Sequence, residues 1–263
     1  MSNLIVDTIK KRKLIIELSM NDFKARYASS FLGMVWAFVQ PLTTIMVFWF
    51  VFQVGMKNGD VDGKPFIVWY IPAYLLWTFF SEAFSTSING IREYSYLVKK
   101  VNFPVFIIPV VKIVSNLFVH VFFVIVIVFV NFCYGIYPSV YYIQFFYYLF
   151  CTIVLLIGLG WLFSGLGTIV PDILNAASVV LQLGFWATPI IWNPSNMSPI
   201  MQTIFKINPI YYICQGYRDT FIYQMWFWER GGISIYFWSF TISILVLGIY
   251  TFNKLKPRFA DVI

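Results

Sequence analysis

The stretch WATPIIWNPSNMSPIMQTIFKINPIYYICQGYRD, residues 186–219, is apolar enough for a lipid bilayer but is interrupted by Pro189, Pro194, Pro199 and Pro209. Proline removes a hydrogen bond from a helix, so the stretch does not form one continuous membrane span. Irregular backbone at membrane depth survives only where protein or water satisfies its polar groups. The stretch therefore predicts either re-entrant helices that dip into the membrane and return, or an amphipathic segment lying flat among the headgroups.

The rest of the sequence indicates an all-α integral membrane protein. Hydrophobic residues make up 60% of the 263 positions and charged residues 11%, whereas soluble domains carry about 25% charged residues. The three cysteines predict neither a disulfide framework nor a metal site. Windows long enough to cross about 30 Å of hydrocarbon predict six transmembrane helices. Their ranges are 31–54, 67–88, 104–136, 142–170, 174–192 and 234–252.

The positions of Lys and Arg predict the orientation of the chain. With the N-terminus inside, segments 1–30, 89–103, 171–173 and 253–263 hold twelve of these residues, and the connections on the other side hold five. The positive-inside bias places both termini in the cytoplasm. We attribute the net charge of +7 to this bias and expect no nucleic-acid partner.

The first thirty residues differ from the spans. Apolar residues recur there at broadly helical spacing among Lys and Arg, which is typical of a helix lying at a membrane surface. We expect residues 1–30 to form a cytoplasmic amphipathic interface region and 31–263 to form one six-span domain. Asn21 or Asp22 is predicted to cap a second helix that leads into the first span.

The sequence lacks the Gly-x-x-x-x-Gly-Lys-Ser/Thr motif of a P-loop. If the chain transports, its energy should come from another subunit, and we expect no cofactor in the chain itself. A membrane enzyme such as a lipid-linked glycosyltransferase or acyltransferase would need convergent acids, bases or metal ligands. We identify no catalytic or metal-ligating residues, and we interpret the lone His120 as a core residue. A passive channel is a third alternative.

Two charged residues lie inside predicted spans, Glu82 in the second and Lys112 in the third. Ionisable groups within the membrane usually find a partner, so the two are predicted to pair. The alternative is that Lys112 extends alone to the membrane surface.

The stretch NGIREYSYLVKKVNFP, residues 89–104, is the internal cytoplasmic connection long enough to hold a helix. Ile91, Tyr94 and Val98 share one helical face, which would suit a groove on a partner protein. The charged residues that would set the orientation of that contact are Arg92, Glu93, Lys99 and Lys100. The alternative is a solvated loop whose basic residues only fix the topology.

Several stretches carry a resemblance to a known family. They are DFKARYASSFLGMVWAFVQP (22–41), LVKKVNFP (97–104), PDILNAASVVLQLGFWATPIIW (171–192), INPIYY (207–212) and FNKLKPRFADVI (252–263). Together they resemble the transmembrane subunit of ATP-binding cassette exporters for lipid-linked polysaccharides, which include O-antigen, capsule and teichoic acid exporters. The family commonly has Arg-Asp between its fourth and fifth spans, where this chain has Pro171-Asp172; Asp172 is still expected to cap the helix that follows.

The resemblance implies a homodimer in the bacterial inner membrane that lines a channel and is joined to two ATPase subunits, which bind ATP and magnesium. Residues 89–103 would include the coupling helix that contacts the ATPase. The short helices after Trp192 would form the outer gate, with candidate residues Pro194, Pro199, Pro209, Tyr211, Tyr212 and Arg218.

The channel of such exporters is lined partly by aromatic rings, which suit sugars because their faces are apolar and their edges can carry polar groups. The candidates are Trp36, Trp49, Trp77, Phe80 and Trp186, each of which could instead be packed in the core or face lipid. The resemblance thus implies an exporter subunit for a lipid-linked polysaccharide, O-antigen first, with export of a small amphiphile or drug as the alternative on the same scaffold.

Overall fold

The computed structural model describes residues 4–28, 31–56, 60–100 and 103–262, and every regular element in that part of the chain is helical. Residues 101–102 of the predicted coupling segment lie outside the described residues. The α-helices are, in chain order, α1 (Leu4–Lys10), α2 (Arg12–Tyr27), α3 (Trp36–Trp49), α4 (Phe66–Glu93), α5 (Ser95–Val98), α6 (Ile107–Cys133), α7 (Phe145–Ile169), α8 (Asp172–Ala187), α9 (Pro199–Lys206), α10 (Pro209–Arg218), α11 (Gly231–Leu255) and α12 (Phe259–Val262).

Among the described residues, five helical stretches are long and apolar enough to cross a membrane. They contain α3, α4, α6, α7 and α11, and correspond to the predicted spans one to four and six. Their bounds are Gly33–Gly55, Phe66–Glu93, Ile107–Cys133, Val140–Ile169 and Phe227–Arg258. The prediction of an all-α integral membrane protein is confirmed.

The predicted fifth span, 174–192, is shorter in the structure. Helix α8 has 16 residues, or about 24 Å at 1.5 Å per residue, which is less than the roughly 30 Å of a hydrocarbon core. It ends because Thr188 precedes Pro189, and a residue before proline avoids the helical conformation; Thr188 is extended, with φ −99° and ψ 131°. At the other end, the N-cap of α8 is Pro171 and Asp172 is the first helical residue, so the expectation that Asp172 caps this helix is wrong.

Helix α4 is the centre of the bundle. It is buried along most of its length by α6, α7, α8 and α10. Beside it, α7 and α11 approach closely where Gly158 faces Gly248: a Cβ atom on Gly248 would lie 2.4 Å from the Gly158 carbonyl oxygen. Small residues at such a crossing let two membrane helices pack backbone to backbone.

Helix α2 packs along the first half of α6. Ile15 is buried in this contact, and the Ser19 hydroxyl donates to the Val111 carbonyl at 3.1 Å. The helix continues through Asn21 and Asp22, so the prediction that one of these residues caps a second helix is wrong. Asp22 lies instead on the face of α2 that meets α6 and binds a charged residue there.

Candidate functional site

Buried polar groups meet where α4 ends and α6 begins, beside α2; we call this the α2 end of the bundle. Lys112 Nζ lies 2.6 Å from a carboxylate oxygen of Asp22 and also bonds the Glu93 carboxylate. The Tyr94 hydroxyl donates to the same Asp22 oxygen at 2.9 Å, and Arg26 lies 3.2 Å from the other oxygen. We call these five residues the Asp22–Lys112 cluster. It ties α2 to the end of α4 and the start of α6.

The environment of Asp22 determines its charge. Burial by itself raises the pKa of this carboxyl, because it penalises the ionised form. The hydrogen bond and positive charge of Lys112, with further bonds from Ser115 and Tyr94, outweigh burial and hold the pKa below its ordinary value. Asp22 is therefore ionised at neutral pH, with Lys112 as its buried counter-charge.

The cluster continues along α4 and α6 through neutral groups. Arg26 donates to the Asn116 side-chain oxygen at 2.7 Å, and the Asn116 amide donates to the Thr86 hydroxyl at 2.9 Å. The Asn116 amide also donates to the Lys112 carbonyl at 2.8 Å. These bonds fix the register of α2, α4 and α6 relative to one another.

The predicted ion pair between Glu82 and Lys112 is wrong. Glu82 lies eleven residues before Glu93 in α4, or about 16 Å along the helix, and its nearest charged partner is Arg26 at 3.9 Å. Lys112 does not extend alone to the surface either, because its side chain is only 5% exposed and has two carboxylate partners. The sequence could not identify these partners, since Asp22 is ninety positions away.

The helical face that was predicted to contact a partner, formed by Ile91, Tyr94 and Val98, points toward the interior of the bundle. Ile91 and Val98 are buried in an apolar cluster with Ile15, and Tyr94 bonds Asp22. The three predicted residues do lie on one side, but that side covers the apolar surface of the chain's own helices. The prediction that this face fills a groove on a partner is therefore wrong.

Other residues of the same segment are exposed. Tyr96 is 61% exposed, and Lys99 and Lys100 are exposed beside it; we call these three residues the α5 surface. Arg92, by contrast, donates to the Thr168 carbonyl at 3.0 Å and joins α4 to α7.

A cavity of about 200 Å³ lies between α3, α4 and α6, next to the Asp22–Lys112 cluster. We call it the polar groove. Polar side chains from all three helices line it: Gln40, Thr44, Tyr74, Thr78, Glu82, Asn116 and His120. His120 is a core residue, as expected, since Nε2 lies 2.9 Å from the Tyr217 hydroxyl and its ring stacks on Phe79. Polar groups within membrane spans mark binding sites or water-filled paths.

The five candidate channel aromatics lie in three different environments. Trp36 lines the polar groove and is exposed. Trp77 and Phe80 are 6% and 3% exposed and pack in the core, where the Trp77 ring closes on α8 beside Phe185. These two are packing residues and do not line an open path in this structure. Trp49 and Trp186 lie on the surface outside the groove.

At the opposite end of the bundle, three prolines each begin a short helix. Asn193, Ser198 and Asn208 precede them, and each of these side chains accepts a backbone N–H of the helix it caps. Proline is favoured at the first position of a helix because a backbone N–H at that position would have no partner within the helix, so nothing is lost by its absence. Pro194, Pro199 and Pro209 therefore position helices within the stretch rather than only breaking it.

Helix α10 lies inside the bundle, and we call its side the α10 end. Tyr212 is buried, and a Cβ atom on Gly216 would lie 2.1 Å from the Tyr148 ring. The Cys214 thiol meets the carbonyl of Ala73, seven residues into α4, which is about 10 Å along that helix. Helix α9 is exposed by comparison, with none of its described residues buried.

Arg218 is 1% exposed at the end of α10. Its guanidinium donates to the carbonyls of Trp69 and Ile190 at 3.1 and 3.0 Å and stacks 3.5 Å from the centre of the Trp69 ring. The neighbouring Asp219 is buried and accepts both arms of Arg230. The structure thus brings Arg218 and Tyr211 into one cavity, while Tyr212 packs in the core.

Sequence reasoning missed Asp22, Arg26 and Asn116 at the α2 end, and Asp219 and Arg230 at the α10 end. A local signal existed for one contact: Asp22 and Arg26 are four residues apart, the spacing of a helical ion pair. The other partners come from distant helices. Among the described residues, no group of three or more His, Cys, Asp and Glu could hold a metal ion.

Comparison with known proteins places this sequence in a family. The ABC-2 type transporter family matches residues 13–222. The chain is 27% and 26% identical over 251 residues to two O-antigen export system permease proteins RfbA of Klebsiella pneumoniae, covering 95% of each chain. It is 25% identical over 223 residues to RfbA of Myxococcus xanthus, covering 84% of this chain and 85% of the relative. The resemblance seen in the sequence is confirmed, and the chain belongs to the ABC-2 type transporter family.

Proposed function

We propose that this chain is the membrane-spanning subunit of an ATP-driven exporter that moves a lipid-linked polysaccharide of the O-antigen class across the bacterial inner membrane. The observation that carries the proposal is the similarity, over 95% of the chain, to permeases named for O-antigen export. Capsule and teichoic acid polymers belong to the same substrate class. ATP and magnesium bind to a separate ATPase subunit, and the chain itself carries out no bond-breaking chemistry.

The polar groove supports a hydrophilic path for the polymer. Glu82 is 60% exposed there, and Gln40 is exposed on α3. Contact of a carboxylate or amide group with lipid is energetically unfavourable. This face of the chain therefore meets water or protein in the membrane. Helix α3 is also only partly covered by the rest of the chain, with three of its fourteen residues buried. Two copies that face each other through α3 and the groove enclose a conduit, and we propose this homodimer.

The energy of ATP hydrolysis enters through the α5 surface. Its aromatic ring and two ammonium groups are exposed next to the Asp22–Lys112 cluster, and this combination suits a partner groove with an acidic rim. The cluster joins α5 to α2, α4 and α6, so a push on α5 moves three helices together. Two ATPase subunits, one for each copy, complete the exporter.

We place the α2 end in the cytoplasm, with both termini there, because Lys and Arg are concentrated on that side. The sixth crossing is then made by α8 together with the residues that follow it to Ile190, whose carbonyl binds Arg218 at the α10 end. Helices α1 and α2 then lie at the inner membrane surface. Helix α10 becomes a re-entrant element at the outer end, and α9 rests among the headgroups through Ile200 and Ile204, which are exposed. The predicted outer gate is thereby assigned to α9 and α10.

One observation favours a second candidate. The groove of about 200 Å³ is small, and typical ligand pockets hold about 300–1,000 Å³. Export of a small amphiphile on the same scaffold would need no wider path within one copy.

Depletion of the chain in its host separates the two candidates. We expect the surface polysaccharide to decrease and its lipid-linked form to accumulate on the cytoplasmic side, with recovery on re-expression. Normal surface polysaccharide combined with intracellular retention of an amphiphile would favour the second candidate instead.

A further inference from the structure

A second cavity, of about 250 Å³, lies at the α10 end. We call it the Arg218 cavity. Its wall is built from five separate parts of the chain: the connection before α4, the start of α4, the segment after α8, α10, and the segment before α11. The polar and aromatic residues that line it are Asp62, Trp69, Asn193, Ser195, Tyr211, Gln215, Arg218, Tyr223 and Arg230.

Arg218 distinguishes this cavity from an ordinary surface cleft. A guanidinium has five N–H donors, and two donor atoms of Arg218 bond protein carbonyls. Among the described residues, no carboxylate lies within 4.0 Å of the Arg218 guanidinium, whereas Arg230 forms an ion pair with Asp219. Arg218 also lines the cavity, so its remaining N–H groups can donate to a ligand there.

The lining indicates the chemistry of that ligand. Guanidinium, amide, carboxylate and phenol groups together offer both donors and acceptors, and a sugar hydroxyl is both. A phosphate accepts only, and the Asp62 carboxylate would repel it. Two arginines in the cavity are balanced by Asp62 and by Asp219 behind it, which also favours an uncharged ligand. The volume lies just below the smallest typical ligand pockets, about 300 Å³, and therefore suits one sugar ring.

Asp62 connects the cavity to the segments that flank the helices of the proposed gate. Its carboxylate accepts from the Asn193 amide at 3.1 Å and from the Tyr223 hydroxyl at 2.7 Å. It thus joins the connection before α4 to the segments on either side of α9 and α10. A ligand in the cavity contacts all of these segments at once.

We propose that the Arg218 cavity is an exit subsite that binds one sugar residue of the polysaccharide as the polymer leaves the bundle. This inference rests on the proposed function and adds to it a place where the glycan is held. A sugar bound to Arg218, Gln215 and Asn193 keeps α10 in contact with the segment after α8 until the next residue arrives.

The test measures protection of a single cysteine in the cavity. Cys133 is exposed whereas Cys151 and Cys214 are buried, so Cys133→Ser gives an unreactive background. Ser195→Cys then reports on the cavity, and Thr203→Cys, on the exposed α9, is the matched control. Labelling by a membrane-impermeant maleimide is followed in cells with polymer synthesis on or off, and in purified protein with fragments released by mild acid from the host's own surface polysaccharide.

We expect polymer synthesis in cells, and fragments in the purified protein, to slow labelling of Ser195→Cys several-fold and to leave Thr203→Cys unchanged. Adding Gln215→Leu should remove the protection. Unchanged labelling in the purified protein, or protection by inorganic phosphate but not by the fragments, overturns the sugar subsite. If cells lacking the chain keep normal surface polysaccharide, the proposed function itself fails, which is a separate outcome.

Discussion

Replacing Lys112 with methionine tests whether the Asp22–Lys112 cluster holds α2 against α4 and α6. Methionine keeps the apolar stem and removes the ammonium group, which lies 2.6 Å from Asp22. Asp22 is 7% exposed and would keep only Arg26, at 3.2 Å, as a charged partner. Removing one partner of a buried pair costs about 3–5 kcal/mol, and because Arg26 compensates in part we expect about 2–3 kcal/mol.

The assay is thermal unfolding of the purified protein in detergent. For a chain of this size, about 1 kcal/mol corresponds to roughly 2–4 °C, so we expect Lys112→Met to lower the unfolding temperature by roughly 4–12 °C. The control is Lys206→Met, an exposed lysine that makes no ion pair among the described residues. The control should unfold at the wild-type temperature.

A double-mutant cycle tests whether the loss of stability comes from breaking the ion pair between Asp22 and Lys112. Asp22→Asn combined with Lys112→Met removes both charges, so the double variant should lose less stability than the sum of the single variants, by about 1 kcal/mol or more. If Lys112→Met unfolds at the wild-type temperature, or if the two losses simply add, the cluster does not hold these helices together.

Gly216→Ala should lower the unfolding temperature, because its Cβ would lie 2.1 Å from the Tyr148 ring and overpacking costs about 1–3 kcal/mol; Tyr148→Leu should restore it. Serine at all three positions of the α5 surface should abolish co-purification of the ATPase and leave the unfolding temperature unchanged, because these side chains are exposed. Lys112 holds the pKa of Asp22 below its ordinary value, so its contribution to stability should be constant from about pH 8 to 5 and be lost only below about pH 4, where the unfolding temperatures of wild type and Asp22→Asn should converge.

The membrane spans could be predicted from the sequence because each depends on a local property, about 20 consecutive apolar residues. The predicted fifth span extends beyond the end of α8 because its hydropathy window includes Thr188 and Pro189, where the backbone leaves the helical conformation. A hydropathy window averages over such a residue, whereas the effect of proline on its neighbour is a local steric one.

The contacts of the candidate site were harder to predict. Helical spacing correctly placed Ile91, Tyr94 and Val98 on one side, but it does not tell whether that side meets a partner or the chain's own core. The partners of Lys112 come from another helix and from the end of α4. Only the packing of α2 against α6 determines which carboxylate lies within bonding distance.

The most direct test of the proposed function is transport in inverted inner-membrane vesicles that contain this chain and its ATPase, with labelled lipid-linked polysaccharide on the outer face. We expect ATP to move the glycan to the vesicle interior, where it is protected from added glycosidase, and we expect no transfer without ATP or without the chain. Equal protection in vesicles lacking the chain, or transfer independent of ATP, would contradict the assignment as an exporter subunit.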